Sequence, residues 1–347
     1  MKNNARASAL LLLPLPERVP VLRTVRAAAP SAVAGVEGAT DTRAALQGRL
    51  RALAGNPAEA PDPAARVQDD LFGVTRTHGD AAEALLLSFL LAHLDVYEDA
   101  RRSGTSTPAE VWDALDDGVR VLFGGTVPRA AAHGARTVVE ASPPPLEPGA
   151  AVQRWHRGHR LFFALTQAMI AALAEFREAS RGSDAPRAAE ALDAATRFGR
   201  ASAAALRFTA DFPPRRYDDT VRPSMMPPHV PEGFSGIQGI DHRALVRLFR
   251  ALRPLFAALD PMTPHLRAFR SAMTGMFDAH LGVCSRFGGP LRPSLLMAAH
   301  TGHDADAPDT PAVRALKRLI HHREALLDPS GEGDDTETAA ADVLRGP

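Results

Sequence analysis

One cysteine, Cys284, stands in a chain of 347 residues. That excludes an internal disulfide framework and any metal site built from several cysteines, and it suits a reducing cytoplasm. A charge excess is missing too, since Lys plus Arg and Asp plus Glu each number 40. With no net charge, and only two Tyr and two Trp for base stacking, neither nucleic acid nor an anionic membrane is an expected partner. Long apolar runs are absent: the longest, Leu161 to Ala174, falls short of the roughly 20 residues needed to cross a bilayer. The opening MKNNARASALLLLPLPER imitates a secretory leader, with Lys2 and Arg6 ahead of an apolar run, but Pro14 ends that run and no cleavage site follows. A cytoplasmic protein is expected. Triads of acids are lacking as well. The pairs Asp69-Asp70, Asp116-Asp117 and Asp218-Asp219 have no third acid four positions after the first, which argues against an all-α isoprenoid synthase holding magnesium diphosphate.

Strand signals are scarce, whereas alanine, the best helix former, is plentiful. Helical patterns recur at about 39–54, 63–76, 80–102, 107–122, 153–181, 185–210, 239–259, 264–287 and 309–326. The fold class that follows is all-α, a large helical bundle. Proline-rich ASPPPLEPGA at 141–150 divides an N-terminal helical region, 1–140, from a helical core, 151–326, and the acidic tail 327–347 reads as disordered. The apolar segment 9–22 offers a docking surface for a second copy of the chain, a homo-oligomer contact.

Two helices stand out. LFFALTQAMIAALAEF, 161–176, is apolar nearly all round and belongs at a domain centre. In TPHLRAFRSAMTGMFDAHLGVCSRF, Leu266, Phe269, Met273, Met276, Phe277, His280, Cys284 and Phe287 form one apolar stripe. His280 takes a place where the pattern calls for Leu. It reads either as a hydrogen-bonded core residue or as the proximal ligand of a haem, with Gly275, Ala279 and Gly282 leaving room for a flat group. Cys284 reads as a packing residue. His156 with His159, and His300 with His303, have the spacing of metal pairs but lack a completing carboxylate. His78 and His93 lie on a strongly helical segment able to cover the far side of a cofactor.

The stretch VRPSMMPPHVPEGFSGIQGIDH, 221–242, interrupts the helices with proline and glycine. Loops of that length without secondary structure are usually functional. Pro227 and Pro228 fix an extended path, and the glycines allow close approach of backbone to a ligand.

HRLFFALTQAMIAAL, TVRPSM with GFSGIQG, and HLGVCSR with GGPLRPSLL follow one another over 155–296. In that order they resemble the haem-dependent indoleamine and tryptophan 2,3-dioxygenase superfamily, closest to its monodechloroaminopyrrolnitrin synthase-like branch. The resemblance implies a histidine-ligated haem b oxygenase that inserts oxygen from O2 into an aromatic, indole-type amino acid or derivative. The alternative is a haem-binding carrier of the same fold without turnover. By the resemblance His280 is the iron ligand, and Arg286 and Arg270 pair with propionates. Ser235 and Gly236 lie over the haem edge, and Phe162, Phe163 and Phe234 enclose the substrate ring. Arg222 pairs with the substrate carboxylate, and Thr166 sits near bound oxygen.

Overall fold

The computed structural model describes residues 11–34, 36, 39–58, 60, 62–125, 142–230 and 239–288. Helices dominate them, as the composition requires. The longest is α6 (Pro148–Arg181), with Pro148 at its first turn, where a missing N–H costs nothing. Three residues, capped by Asp184 accepting from the Arg187 N–H, join it to α7 (Ala185–Thr209) as a helical hairpin. The two helices come very close at Gly158. A Cβ there would stand 2.0 Å from the Thr209 hydroxyl and 2.9 Å from its Cα, so only glycine fits.

The other elements pack around this hairpin. The helices α4 (Ala81–Ser103) and α10 (Ile240–Ala257) lie against α6, and α5 (Ala109–Leu122) and α11 (Pro264–Gly288) against α7. The helices α1 (Leu22–Ala34) and α2 (Thr42–Leu53) cover α4. One apolar cluster runs through all of them, from Leu11 to Phe287, and takes residues from both sides of the 141–150 segment.

Several features differ from the sequence reading. The predicted helix 63–76 stops early: α3 (Pro63–Phe72) ends on Gly73, whose φ of 64° no β-branched residue adopts cheaply, and Val74–Thr77 continues as strand β3. That strand pairs in parallel with β1 (Leu11–Pro14) and antiparallel with β2 (Pro57–Ala58), a small sheet in an otherwise helical fold. The apolar segment expected to dock on a neighbouring copy therefore docks on its own domain: Leu11, Leu12 and Leu13 are buried. The start of the 221–242 stretch is also helical after all. Between α7 and α10 the chain makes a short turn, α8 (Pro214–Arg216), a π-helical turn at Tyr217–Val221, and α9 (Arg222–Ser224). Residues 231–238 and the helix expected at 309–326 lie outside the described residues.

Candidate active site

Trp155, His159, Phe162, Phe163 and Thr166 are spaced by three or four residues along α6, so they share one face. Their rings touch in series: Trp155 to His159 at 4.4 Å between centroids, His159 to Phe163 at 6.1 Å. From α3, Phe72 stacks on His159 at 4.6 Å and meets Phe163 edge-on at 5.2 Å. Among the described phenylalanines, Phe162 and Phe163 alone are half-buried; the other twelve lie within the core. A helical bundle that buries every other described phenylalanine has left an aromatic wall partly open here.

The last turns of α11 approach the Trp155 end of that wall, with Phe287 6.2 Å from Trp155. His280 is half-buried in the expected stripe beside Met276, Phe277, Cys284 and Phe287. It lies close enough to His159 to act on that imidazole's protonation. The glycines expected to make room for a flat group do not do so. At about 100° per residue, Gly275 and Gly282 fall on the back of α11, and their open space lies away from His280. Tyr217, in the π-helical turn, stacks on Phe287 at 4.5 Å and lies 5.5 Å from Trp155. Arg222 and Cys284 are near enough to influence its phenol. Burial pushes the Cys284 thiol up to about 11, so it stays a thiol.

The α6 imidazoles are neutral. Burial lowers His156 to about 4, helped by Arg160. Burial lowers His159 to about 3, with the nearby His156 and His280 adding to the effect. The Nδ1 of His159 is 2.8 Å from the Trp155 carbonyl oxygen. A carbonyl can only accept, so the proton sits on Nδ1 and the lone pair on Nε2.

At the Thr166 end the wall meets a small cavity of about 20 Å³. Gln68, Asp69, Arg76, Phe162, Phe163, Thr166, Gly239, Asp241 and His242 line it, from α3, β3, α6 and the start of α10. Its floor is a buried ion cluster. Arg76 donates to both oxygens of Asp69 at 2.8 and 2.7 Å and to both of Asp241 at 3.1 and 2.9 Å. Gln167 donates to Asp241 and to the Pro14 carbonyl, each at 2.8 Å. Burial raises the Asp69 carboxyl above its ordinary range, Arg76 opposes the shift, and Asp241 and Asp70 add to it.

The structure sorts the candidates. Phe162 and Phe163 belong to the aromatic wall, His280 lies within electrostatic reach of His159, and Arg222 within reach of Tyr217. Thr166 reaches the cavity, but its hydroxyl donates to the Phe162 carbonyl at 2.8 Å, so it turns lone pairs rather than a proton outward. Arg286 donates to the Phe212 carbonyl at 3.0 Å and lies 5.8 Å from the centroid of Phe287, and Arg270 is half-buried one and a half helical turns after the start of α11. Phe234, Ser235, Gly236 and the His300–His303 pair lie outside the described residues. Neither histidine considered for the far side of the cofactor joins the site: His78 pairs with Arg18, and His93 sits against Tyr97 and Asp116. The imidazole beside Phe162, Phe163 and Thr166 belongs to His242. Its signal in the sequence was modest, an Asp-His pair at a helix start directly after a glycine-rich loop.

Among the described residues no three His, Cys, Asp or Glu side chains form a group able to hold a bare metal ion. The donor set suits a different guest. Neutral imidazoles beside a half-open wall of aromatic rings match a planar, apolar macrocycle that brings most of its own ligands. No described helix is long and apolar enough to cross a membrane.

Residues 12–266 match the model of a family described as SfmD 3-methyl-L-tyrosine peroxygenase. The chain is 33% identical over 236 residues to a 3-methyl-L-tyrosine peroxygenase of Streptomyces lavendulae, a match covering 67% of this chain and 64% of that protein's length. It is also similar to the crystal structure of reduced SfmD, soaked with sodium hydrosulfite. That likeness has a TM-score of 0.60 and 30% identity, and it covers 81% of this chain and 99% of the other. The family match takes in the α6 wall, Arg222 and the whole cavity, and it ends before His280.

Proposed function

This chain belongs to the SfmD 3-methyl-L-tyrosine peroxygenase family, and from that premise we propose that it is a haem-dependent oxygenase acting on a tyrosine-derived aromatic amino acid. The family's named substrate is a phenol rather than an indole, so the expected substrate moves from indole to phenol, and peroxide joins O2 as a candidate oxidant. The observation that carries the reading is the partly open wall of Phe162, Phe163 and His159 beside half-buried His280, in a protein that buries its other described phenylalanines.

His280 is the proposed iron ligand. Haem supplies, when bound, the oxygen-transfer chemistry that side chains lack. The chain supplies the rest. Phe162 and Phe163 exclude water from the ring's neighbourhood and hold it flat. The Trp155 carbonyl, accepting from Nδ1 of His159, orients that imidazole, and burial keeps it neutral. His242, set at the cavity by the neighbouring Asp241–Arg76 pair, is the group placed to hold or move a proton beside the substrate. Arg222 offers a planar fork to a carboxylate, of the substrate or of haem.

A visible spectrum of the full-length protein supplied with haem is the test. A Soret band that shifts on reduction is expected, and His280→Ala should no longer retain stoichiometric haem. A variant that keeps full haem with an unchanged ferrous spectrum removes His280 from the ligand role. Product formation from 3-methyl-L-tyrosine, against none from tryptophan, separates this enzyme from a carrier and from the indole reading.

A further inference from the structure

We propose that the cavity beneath Gly239 is the seat of the substrate's α-ammonium group, with Gln68 as its acceptor; the inference rests on the reading of the site as one for an aromatic amino acid. Size argues first. A space of about 20 Å³ holds one water-sized group, since a water needs roughly 10–15 Å³. A ring or a carboxylate does not fit, whereas an –NH3+ does.

Polarity argues next. Gln68 is 4% exposed and lines the cavity, and its side-chain oxygen has no hydrogen-bond partner. A buried acceptor left in that state is rare and costly in a folded protein. The Thr166 hydroxyl, its proton given to the Phe162 carbonyl, presents lone pairs to the same space. The ionised side chains of the floor, Asp69, Asp241 and Arg76, sum to one negative charge. Arg76 is already spent on the two carboxylates, so the net balance left to a guest is an unpaired acceptor and one negative charge. An ammonium brings three donors and a positive charge. Burial and the nearby Asp241 already strain the ionised form of Asp69, and an incoming cation relieves that strain.

Position argues last. Phe162, Phe163 and His242 wall both the cavity and the open aromatic site, so an amino acid seated by its ammonium lays its side chain along the wall. The ammonium and carboxylate of an amino acid share one carbon. Trp155, whose ring meets Tyr217 next to Arg222, is eleven residues from Thr166, about 16 Å along the helix. The carboxylate at Arg222 is then haem's rather than the substrate's.

Calorimetric titration of the full-length, haem-supplied protein tests the assignment, with 3-methyl-L-tyrosine and its des-amino analogue, 3-(4-hydroxy-3-methylphenyl)propanoate, as probes. The unaltered protein should bind the amino acid about tenfold or more tightly than the analogue. Gln68→Leu should erase that preference and leave affinity for the analogue within about twofold. Equal binding of both probes by the unaltered protein overturns the inference and leaves the cavity as a water site, and this comparison decides even if the variant does not fold. A variant that weakens both probes alike also overturns it. If neither probe binds, the reading of the site as one for a tyrosine derivative falls, and the inference with it.

Discussion

Two buried arginines, each held by two aspartates, sit at opposite ends of the α6 face and do opposite things. Arg154 is fully buried, and its guanidinium is used up. It donates to Asp99 at 2.6 Å and to the carbonyls of Asp211 and Gly104 at 2.8 Å each. The Asp211 carboxylate in turn accepts from Thr105 and from the Ser106 N–H, at 2.6 and 2.9 Å. No buried polar side-chain atom of that cluster is left without a partner. Arg76 is held by Asp69 and Asp241 with equally good geometry, yet next to it a cavity remains and the Gln68 oxygen has no partner. The same chemistry is thus a fastener in one place and a receptor wall in the other. The difference lies in whether the neighbours finish the hydrogen bonding.

The contrast can be broken at several points. The largest effect is expected at the fastener. Arg154→Ala leaves Asp99 and Asp211 charged and buried, and should cost about 3–5 kcal/mol in urea unfolding. A loss below about 1 kcal/mol would mean that the cluster is no fastener. The neutral imidazoles between the two clusters should show themselves in pH dependence. Both His156 and His159 have folded values, about 4 and about 3, below the ordinary 6.5. Between those values and 6.5 the unfolded chain binds the extra proton, so stability falls as the pH is lowered. From pH 7 to pH 5 the haem-free protein should lose about 2 kcal/mol for each imidazole, and His159→Gln should remove roughly half of that loss, read from urea midpoints. The smallest effect belongs to the receptor wall. In Gly239→Ala the new Cβ would stand 2.6 Å from the Gln68 oxygen. The flexible amide can swing aside, so stability should change by less than about 1 kcal/mol while the preference for the amino acid over its analogue shrinks. A loss of several kcal/mol would show that Gln68 is locked in place as a structural group.

The long helices were legible because their apolar spacing is strong. The helices α4, α6, α7 and α11 fall within five residues of the predicted limits, the widest gap being at Pro148, where proline at the first helical turn extends α6 past the expected start. The sheet was not legible, for a physical reason. Leu11 to Leu13 is buried on both faces, so it shows no alternation, and Val74–Thr77 hides at the end of a helical pattern that only Gly73 interrupts. The site divides in the same way. Phe162, Phe163, Thr166, Arg222 and His280 came from stretches that resemble known enzymes along the chain. Gln68, Arg76, Asp241 and His242 come together from three elements, with Arg76 and Asp241 alone 165 positions apart, and each is unremarkable among its sequence neighbours. Only folding sets an unpaired carbonyl oxygen beside a surplus of carboxylate.

The strand β1 has a reach that its four residues conceal. The carbonyl of Pro14 accepts from Gln167 at 2.8 Å and from Arg76 at 3.3 Å, which makes β1 a keystone under the cavity floor. Deleting β1 would pull three leucines out of the core. It would also unseat the two side chains that hold Asp241, so damage to this strand would surface as a fault in the pocket.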